Sequence, residues 1–392
     1  MPRLSSDHTR KLVTLVALVV GILLGIYFTN RAVRDRESAL SQGGNARLRS
    51  ALERMRRSPD RLAMTMTAGL PDERLLRRID VHMIGRVDVL VIGQSDADHM
   101  SATFFKEGVG FYNGFLSSSF FAYQYEVFDE IARARGTPQI VLFDIRSGYL
   151  LTAGDEPSYD APADDKVWWA GPPWSRGETS TPWYRDIDSL LSLQQTEFTA
   201  RFVAAECERR RAPTTADEDG EGSAFRVVPQ GVPWGEHRWL PDGSRLYPGE
   251  VEGVLVPGAQ DRIVYSTGDR ELNVARVERL GEYLDRLSRA GAKVIAYSPP
   301  LGPRVFEQVP PPLEALRSMD AAVREVIERR RIDYCDLTTE AAALGCGAGD
   351  FYDAIHLSRA CNRRVVRRLA NGCASRAGAA LRAMLADAVL RD

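Results

Sequence analysis

"VDVLVIGQS" occupies positions Val87 to Ser95. The run is apolar, short and bounded by polar residues. A strand with one face in water would alternate apolar and polar residues. A continuous apolar run of this length predicts a strand buried on both faces, the kind found in parallel sheets. It ends at Gly93, which permits a tight turn, and Ser95 follows where it would stand above the end of the sheet. The same signal recurs along the chain. "PQIVLFDI" (Pro138 to Ile145), "RIVYST" (Arg262 to Thr267), "AKVIAYSPP" (Ala292 to Pro300) and "IDYCDLT" (Ile332 to Thr338) read as further buried strands. Between and after them, helical spacing covers Tyr123 to Arg135, Arg270 to Gly291, Leu313 to Arg331, Arg359 to Ala370 and Ser375 to Leu390. Strands alternating with helices predict an α/β protein, a three-layer α/β/α sandwich with a mostly parallel sheet.

The rest of the chain divides around that core. Leu12 to Phe28, "LVTLVALVVGILLGIYF", carries no charge and has about the minimum length of a membrane span. A cleaved signal would show a shorter apolar run and a small-x-small cleavage site, so the segment reads as an N-terminal transmembrane signal anchor. Both flanks are basic and charge does not orient it. An anchor at the N-terminus ordinarily leaves a short cytosolic tail, so the main domain is expected to be extracytoplasmic. The expected domains are residues 1–30 as tail and anchor, 31–84 as a helical stalk, and 85–392 as the α/β domain with an insertion over residues 150–260. Pro, Gly, Asp and Trp dominate that insertion. "APTTADEDGEGS" (Ala212 to Ser223) within it is an acidic low-complexity loop. All six Trp fall there, either as the core of a cap or as flat faces for sugar rings.

Net charge is −2, with Lys+Arg 51 against Asp+Glu 53, which excludes the electrostatic footprint of a nucleic-acid binder. Among five cysteines there is no CxxC pair, and the spacings do not suit zinc, so no metal site is expected. In an exported domain, disulfides among Cys335, Cys346, Cys361 and Cys373 are plausible. A Cys346–Cys361 bridge would pin the stretch between them; free buried thiols are the other reading.

That stretch holds "DFYDAIHLSRACN" (Asp350 to Asn362), in which Asp353 precedes His356 by one helical turn. A serine hydroxyl is a poor nucleophile at neutral pH. It needs a base within hydrogen-bond reach, and the base needs an orienting carboxylate. Ser95, His356 and Asp353 supply those types. "FYNGFLSSSF" (Phe111 to Phe120) supplies small residues whose N–H groups could face an oxyanion, with Asn113 and Gly114 as candidates. The competing readings are structural. Ser95, Asp96 or Asp98 could cap the helix after the turn, His356 could cap the next one, and Asp144 with Arg146 reads as a strand-end ion pair or a substrate contact. His99 is a rival base.

A strand followed by Gly-x-Ser, an Asn/Gly-bearing second block and a C-terminal Asp-x-x-His resemble the SGNH/GDSL hydrolase superfamily over Val87 to Ala370, apart from the insertion. With the anchor, the chain is similar to membrane-anchored extracytoplasmic members serving cell-surface polymers, such as DltD and the alginate O-acetylation proteins. The resemblance implies Ser95 as nucleophile, His356 as base and Asp353 as its orienter. The Ser95 backbone with Gly114 or Asn113 would then donate to the oxyanion. It departs at Gln94, where the family has Asp. The third-block Gly-x-Asn-Asp is absent, "FDIRSG" (Phe143 to Gly148) standing there, and the second-block glycine falls at Gly114 or Ser118. The implied function is O-acetyl transfer or ester hydrolysis on an envelope or secreted polysaccharide, without a cofactor. A multi-spanning membrane acyltransferase would supply acyl groups to a transferase. The alternative is a degenerate fold that binds polysaccharide or scaffolds an envelope assembly.

Overall fold

The computed structural model describes residues 21–29, 48–59, 62–66, 73–116, 121–145, 150–153, 225–229, 238–246, 270–308, 313–353, 355–373 and 377–391. Two compact units divide the chain, and everything below except the helix α1 (residues 21–29) belongs to the unit Leu48–Asp160 plus Ser223–Asp392. Most of the apolar stretch Leu12 to Phe28 lies outside the described residues. Among those described, no helix is long and apolar enough to cross a membrane.

In chain order, the larger unit begins with α2 (residues 48–57), β1 (Leu62–Met66) and α3 (Glu73–Val81). Then come β2 (Val89–Ile92), β3 (Phe111–Asn113), α4 (Phe121–Arg135), β4 (Ile140–Asp144) and β5 (Leu151–Ala153). β6 (Phe225–Pro229), β7 (Arg238–Trp239), β8 (Arg245–Leu246) and β9 (Arg270–Leu272) precede α5 (Val274–Arg289) and β10 (Lys293–Ser298). The chain closes with α6 (Pro303–Gln308), α7 (Leu313–Glu328), β11 (Asp333–Asp336), α8 (Arg359–Arg368), α9 (Ala377–Met384) and α10 (Asp387–Arg391).

The core is a five-stranded sheet in the order β11-β10-β4-β2-β3, parallel at every pairing. Its α/β architecture follows the sequence expectation. All four residues of β2 and all five of β4 are buried, because both faces are covered. Val89, Val91, Ile140, Leu142, Ile295 and Tyr297 pack with Val365, Val366, Leu369 and Leu381 of the C-terminal helices. The alternate residues face the other way, where α4, α5 and α7 pack. Phe121 sets its ring 5.9 Å from that of Phe143 there. Between β2 and β4 the strand order reverses, and at such a switch point a crevice opens beyond the carboxyl ends of the strands.

Local rules fix the element ends. Asn273 caps α5 by accepting from Arg276 N–H, and Gly291, at φ 98°, turns the chain after it. α5 therefore starts later than its helical spacing implied, because Arg270–Leu272 pair with β5 as a strand. Arg262 to Thr267, read as a strand, lies outside the described residues.

Residues 31–47 of the expected stalk lie outside the described residues, and the described ones from Leu48 to Ile84 are packed into the larger unit rather than forming a free-standing stalk. α2 and α3 bury Leu48, Leu52, Met55 and Leu76 against Met64 and Trp239. β1 is built into a second, antiparallel sheet of order β6-β1-β7-β8. Residues before and after the acidic stretch Ala212 to Ser223, which lies outside the described residues, thus form one sheet. Trp239 stacks on Phe115 at 5.0 Å and serves as core rather than as a platform. Trp168, Trp169, Trp174, Trp183 and Trp234 lie outside the described residues.

Candidate active site

β2 ends at Ile92 and the chain turns through Gly93 and Gln94 into a short 3₁₀ turn, Ser95–Ala97. The glycine is required by a close approach rather than by its dihedrals. A Cβ at position 93 would lie 2.3 Å from the Asp144 Cβ at the end of β4. Asp144 Oδ2 in turn accepts from Gln94 N–H at 3.3 Å. Asp144 is therefore a fully buried support for the Ser95 turn; Arg146 lies outside the described residues.

Ser95 does not spend its hydroxyl on capping the turn, whose cap position is Gln94. The Ser95 Oγ lies 2.7 Å from His356 Nε2, and His356 Nδ1 lies 2.6 Å from Asp353 Oδ2. An ionised carboxylate only accepts, so Nδ1 carries the proton, Nε2 accepts, and the Ser95 O–H donates. Burial raises the Asp353 pKa. The hydrogen bond and charge of His356, with the His356 and Ile355 N–H groups, outweigh it and hold the carboxyl below its ordinary value. Asp353 thus keeps its charge beside the imidazole.

The loop carrying this pair is braced on every side. Asp353 Oδ1 accepts from Ile355 N–H and His356 N–H, both at 2.9 Å. Tyr352 N–H donates to the His356 carbonyl at 2.8 Å and Ser358 N–H to the Asp350 carbonyl at 2.7 Å. Phe351 and Leu357 form a β-bridge and bury in the main core. Cys346 and Cys361 are joined by a disulfide with a Cα–Cα distance of 5.6 Å, which decides between the bridge and the free thiols that the sequence left open; Cys335 is also disulfide-bonded. Ser358, not His356, caps α8, accepting from Cys361 N–H at 3.1 Å.

The second block is placed beside the turn but does not offer the expected donors. Gly114 N–H donates to the Val91 carbonyl at 2.8 Å, and the Asn113 side-chain amide donates to the Ala97, Asp98 and Met100 carbonyls. The Gly114 N–H is consumed because Phe111–Asn113 is a strand pairing with β2, which three residues could not announce, and the Asn113 amide because the turn's carbonyls take it. Asn113 acts as a strut for the turn. Gly114 lets Val127 pack close, since a Cβ there would lie 2.8 Å from its Cγ1. Ser118, the other candidate position, lies outside the described residues. The Ser95 N–H has no acceptor among the described residues and is the available oxyanion donor.

Sequence reasoning missed one feature of the site. Asp98, fully buried, bonds His99 Nδ1 through one oxygen. Its other oxygen meets Arg245 Nε at 2.9 Å and Nη2 at 2.6 Å. Burial opposes the Asp98 charge, but His99 and Arg245 outweigh it and hold the carboxyl far below its ordinary value. Only the unusual density of "SDADH" (Ser95 to His99) hints at this in the sequence. No protein-family model matches the chain, and no curated protein matches it.

Proposed function

We propose that this protein is a serine acyl-transfer enzyme of SGNH type. The observation that carries the reading is the hydrogen-bonded chain Ser95–His356–Asp353, assembled from residues 261 apart. A hydroxyl, an imidazole and a carboxylate rarely align in this order without a catalytic use, and the geometry matches the roles the chemistry requires. In the first half-reaction, Ser95 Oγ attacks the acyl carbonyl carbon while His356 Nε2 takes the hydroxyl proton. The carbonyl electron pair moves onto oxygen, where the Ser95 N–H receives it, and Asp353 stabilises the imidazolium. Collapse breaks the bond to the leaving oxygen, which takes the proton from His356 and departs, leaving acyl-Ser95. In the second half, water or a sugar hydroxyl gives its proton to His356 and attacks the ester. The acyl group leaves on the acceptor, and Ser95 recovers the proton.

The substrate class we propose is an O-acylated polysaccharide of the envelope or a secreted polymer, reached by a domain held outside the cytoplasm by the N-terminal apolar segment. The Cys346–Cys361 disulfide supports an oxidising compartment. Transfer would draw on a multi-spanning membrane acyltransferase. A second reading, a non-catalytic polysaccharide-binding or scaffold domain, is favoured by one observation: Asn113 and Gly114 have no donors to spare. A fluorophosphonate probe decides between them. Labelling that maps to Ser95 and disappears in Ser95→Ala supports the enzyme; an unlabelled native chain supports the scaffold.

A further inference from the structure

We propose that Asp98, Arg245 and Asp242 are positioning residues for the acyl-transfer step, a clamp that draws a segment from 147 residues downstream onto the Ser95 turn and holds its hydroxyl in line with His356. The inference rests on the reading of Ser95 as nucleophile and extends it to residues that touch neither substrate nor His356 Nε2.

The clamp has three attachments. Arg245 grips Asp98 with two guanidinium nitrogens, and its own backbone N–H donates to the Asp98 carbonyl at 2.8 Å. Asp242 Oδ2 accepts from Ser101 Oγ at 3.0 Å and from Ala102 N–H at 2.7 Å. The Asp242 carbonyl accepts from Asn113 N–H at 2.8 Å, extending the edge of β3. Asn113 then closes the circuit by donating to the Ala97, Asp98 and Met100 carbonyls. The turn between β7 and β8 is shaped for this contact. Gly243 has φ +81°, and a Cβ on it would lie 2.2 Å from the Asn113 carbonyl oxygen. Arg77 seals the outer side, donating to the Gly243 and Phe115 carbonyls at 3.0 and 3.1 Å.

Such an apparatus is more than the fold of the sheet needs, since β2 and β4 are already buried on both faces. What it restrains is the backbone from Ser95 to Ala102, and the first residue of that span has to hold its oxygen 2.7 Å from the base. A misplacement on the order of 1 Å costs about 10²-fold in rate. The charged groups facing Asp98 are His99 on its own turn, Arg245 on β8 and His356 on the C-terminal loop. Arg245 also meets Glu73 of α3 at 3.6 Å, and His356 faces Asp353 on its own loop.

The test is the rate of fluorophosphonate labelling of the full chain as a function of pH, with the thermal midpoint followed in parallel. Arg245→Lys keeps the charge and loses the fork; Asp242→Ala removes the acceptor of the second attachment and leaves no buried charge unpaired. Each is expected to slow labelling about tenfold or more with the pH midpoint unmoved. Arg245→Met takes the guanidinium from Asp98 and leaves it the His99 contact, and should move the acid limb to higher pH. Asp98→Asn should move it to lower pH. Shifts of opposite sign are not produced by a loosened fold. If the last two variants do not fold, the first two decide. The native chain labelling while folded variants label at its rate overturns the clamp and leaves the nucleophile reading standing. Slowing that merely follows the thermal midpoint, with pH shifts of one sign, also overturns it. A native chain that does not label overturns both.

Discussion

Asp353–His356 and Asp98–His99 are the same two groups in different surroundings. In the first, one carboxylate oxygen orients the imidazole, the other is held by backbone N–H groups, and the far ring nitrogen meets the Ser95 hydroxyl. Both side chains are partly exposed, at 16% for His356 and 28% for Asp353, so substrate can approach. In the second, both side chains are wholly buried and the carboxylate is gripped by Arg245. What makes a histidine a base is the partner of its second nitrogen and access to it, not the adjacent acid. The second pair is a structural node on the turn whose serine the first pair meets.

Substitution separates the two pairs most sharply. His356→Ala should lower the labelling rate by on the order of 10⁴-fold or more, with the thermal midpoint little changed, because a triad fails as a unit. His99→Gln should lower the thermal midpoint and keep labelling within about a factor of ten. Equal losses of rate in the two variants would erase the distinction. Next in size is Asp353→Asn, expected to cost about 10³–10⁴-fold because an amide donor favours the wrong tautomer of His356. A loss under tenfold would mean that Asp353 does not orient the base.

Smaller effects read the braces. The Cys346–Cys361 bridge closes a loop with a sequence separation of 15, for which chain entropy predicts about 3 kcal/mol. Cys346→Ser with Cys361→Ser should lower the thermal midpoint accordingly and slow labelling; an unchanged rate would show that the hydrogen bonds suffice. The least effect is in acid. Asp353 has its pKa lowered by folding, so its stabilisation is full above the unfolded carboxylate value of about 4 and is lost as pH falls through the lower folded value. The stability advantage over Asp353→Asn should therefore shrink as pH is taken below about 4. An advantage that stays constant would assign the effect to packing.

The legible parts of this molecule are those whose burial pattern is written in consecutive residues. β2, β4, β10 and β11 sit inside the apolar runs read as strands, because a strand covered on both faces cannot alternate. Asp353 and His356 are legible for a similar reason, since one loop holds both. The antiparallel sheet is not legible. β7 and β8 have two residues each, too few to carry a period. β1 takes its partner from far along the chain, with Leu62 opposite Pro229. Asn113 and Gly114 have the composition of an oxyanion block. Composition cannot tell that the carbonyls of Val91, Ala97, Asp98 and Met100 already claim their donors.

The sequence by itself determined a parallel α/β core, a serine at the end of its first strand and an Asp–His pair in a loop that a disulfide could brace. Those are properties of neighbouring residues, governed by burial and by local hydrogen bonding. Only the tertiary structure decided that His356 reaches Ser95 while His99 does not. It alone brought Arg245 and Asp242 against the Ser95 turn, and it set Trp239 into the core beside Phe115. Each of these depends on contacts between distant segments, and the free energy of such contacts leaves no pattern in either segment alone.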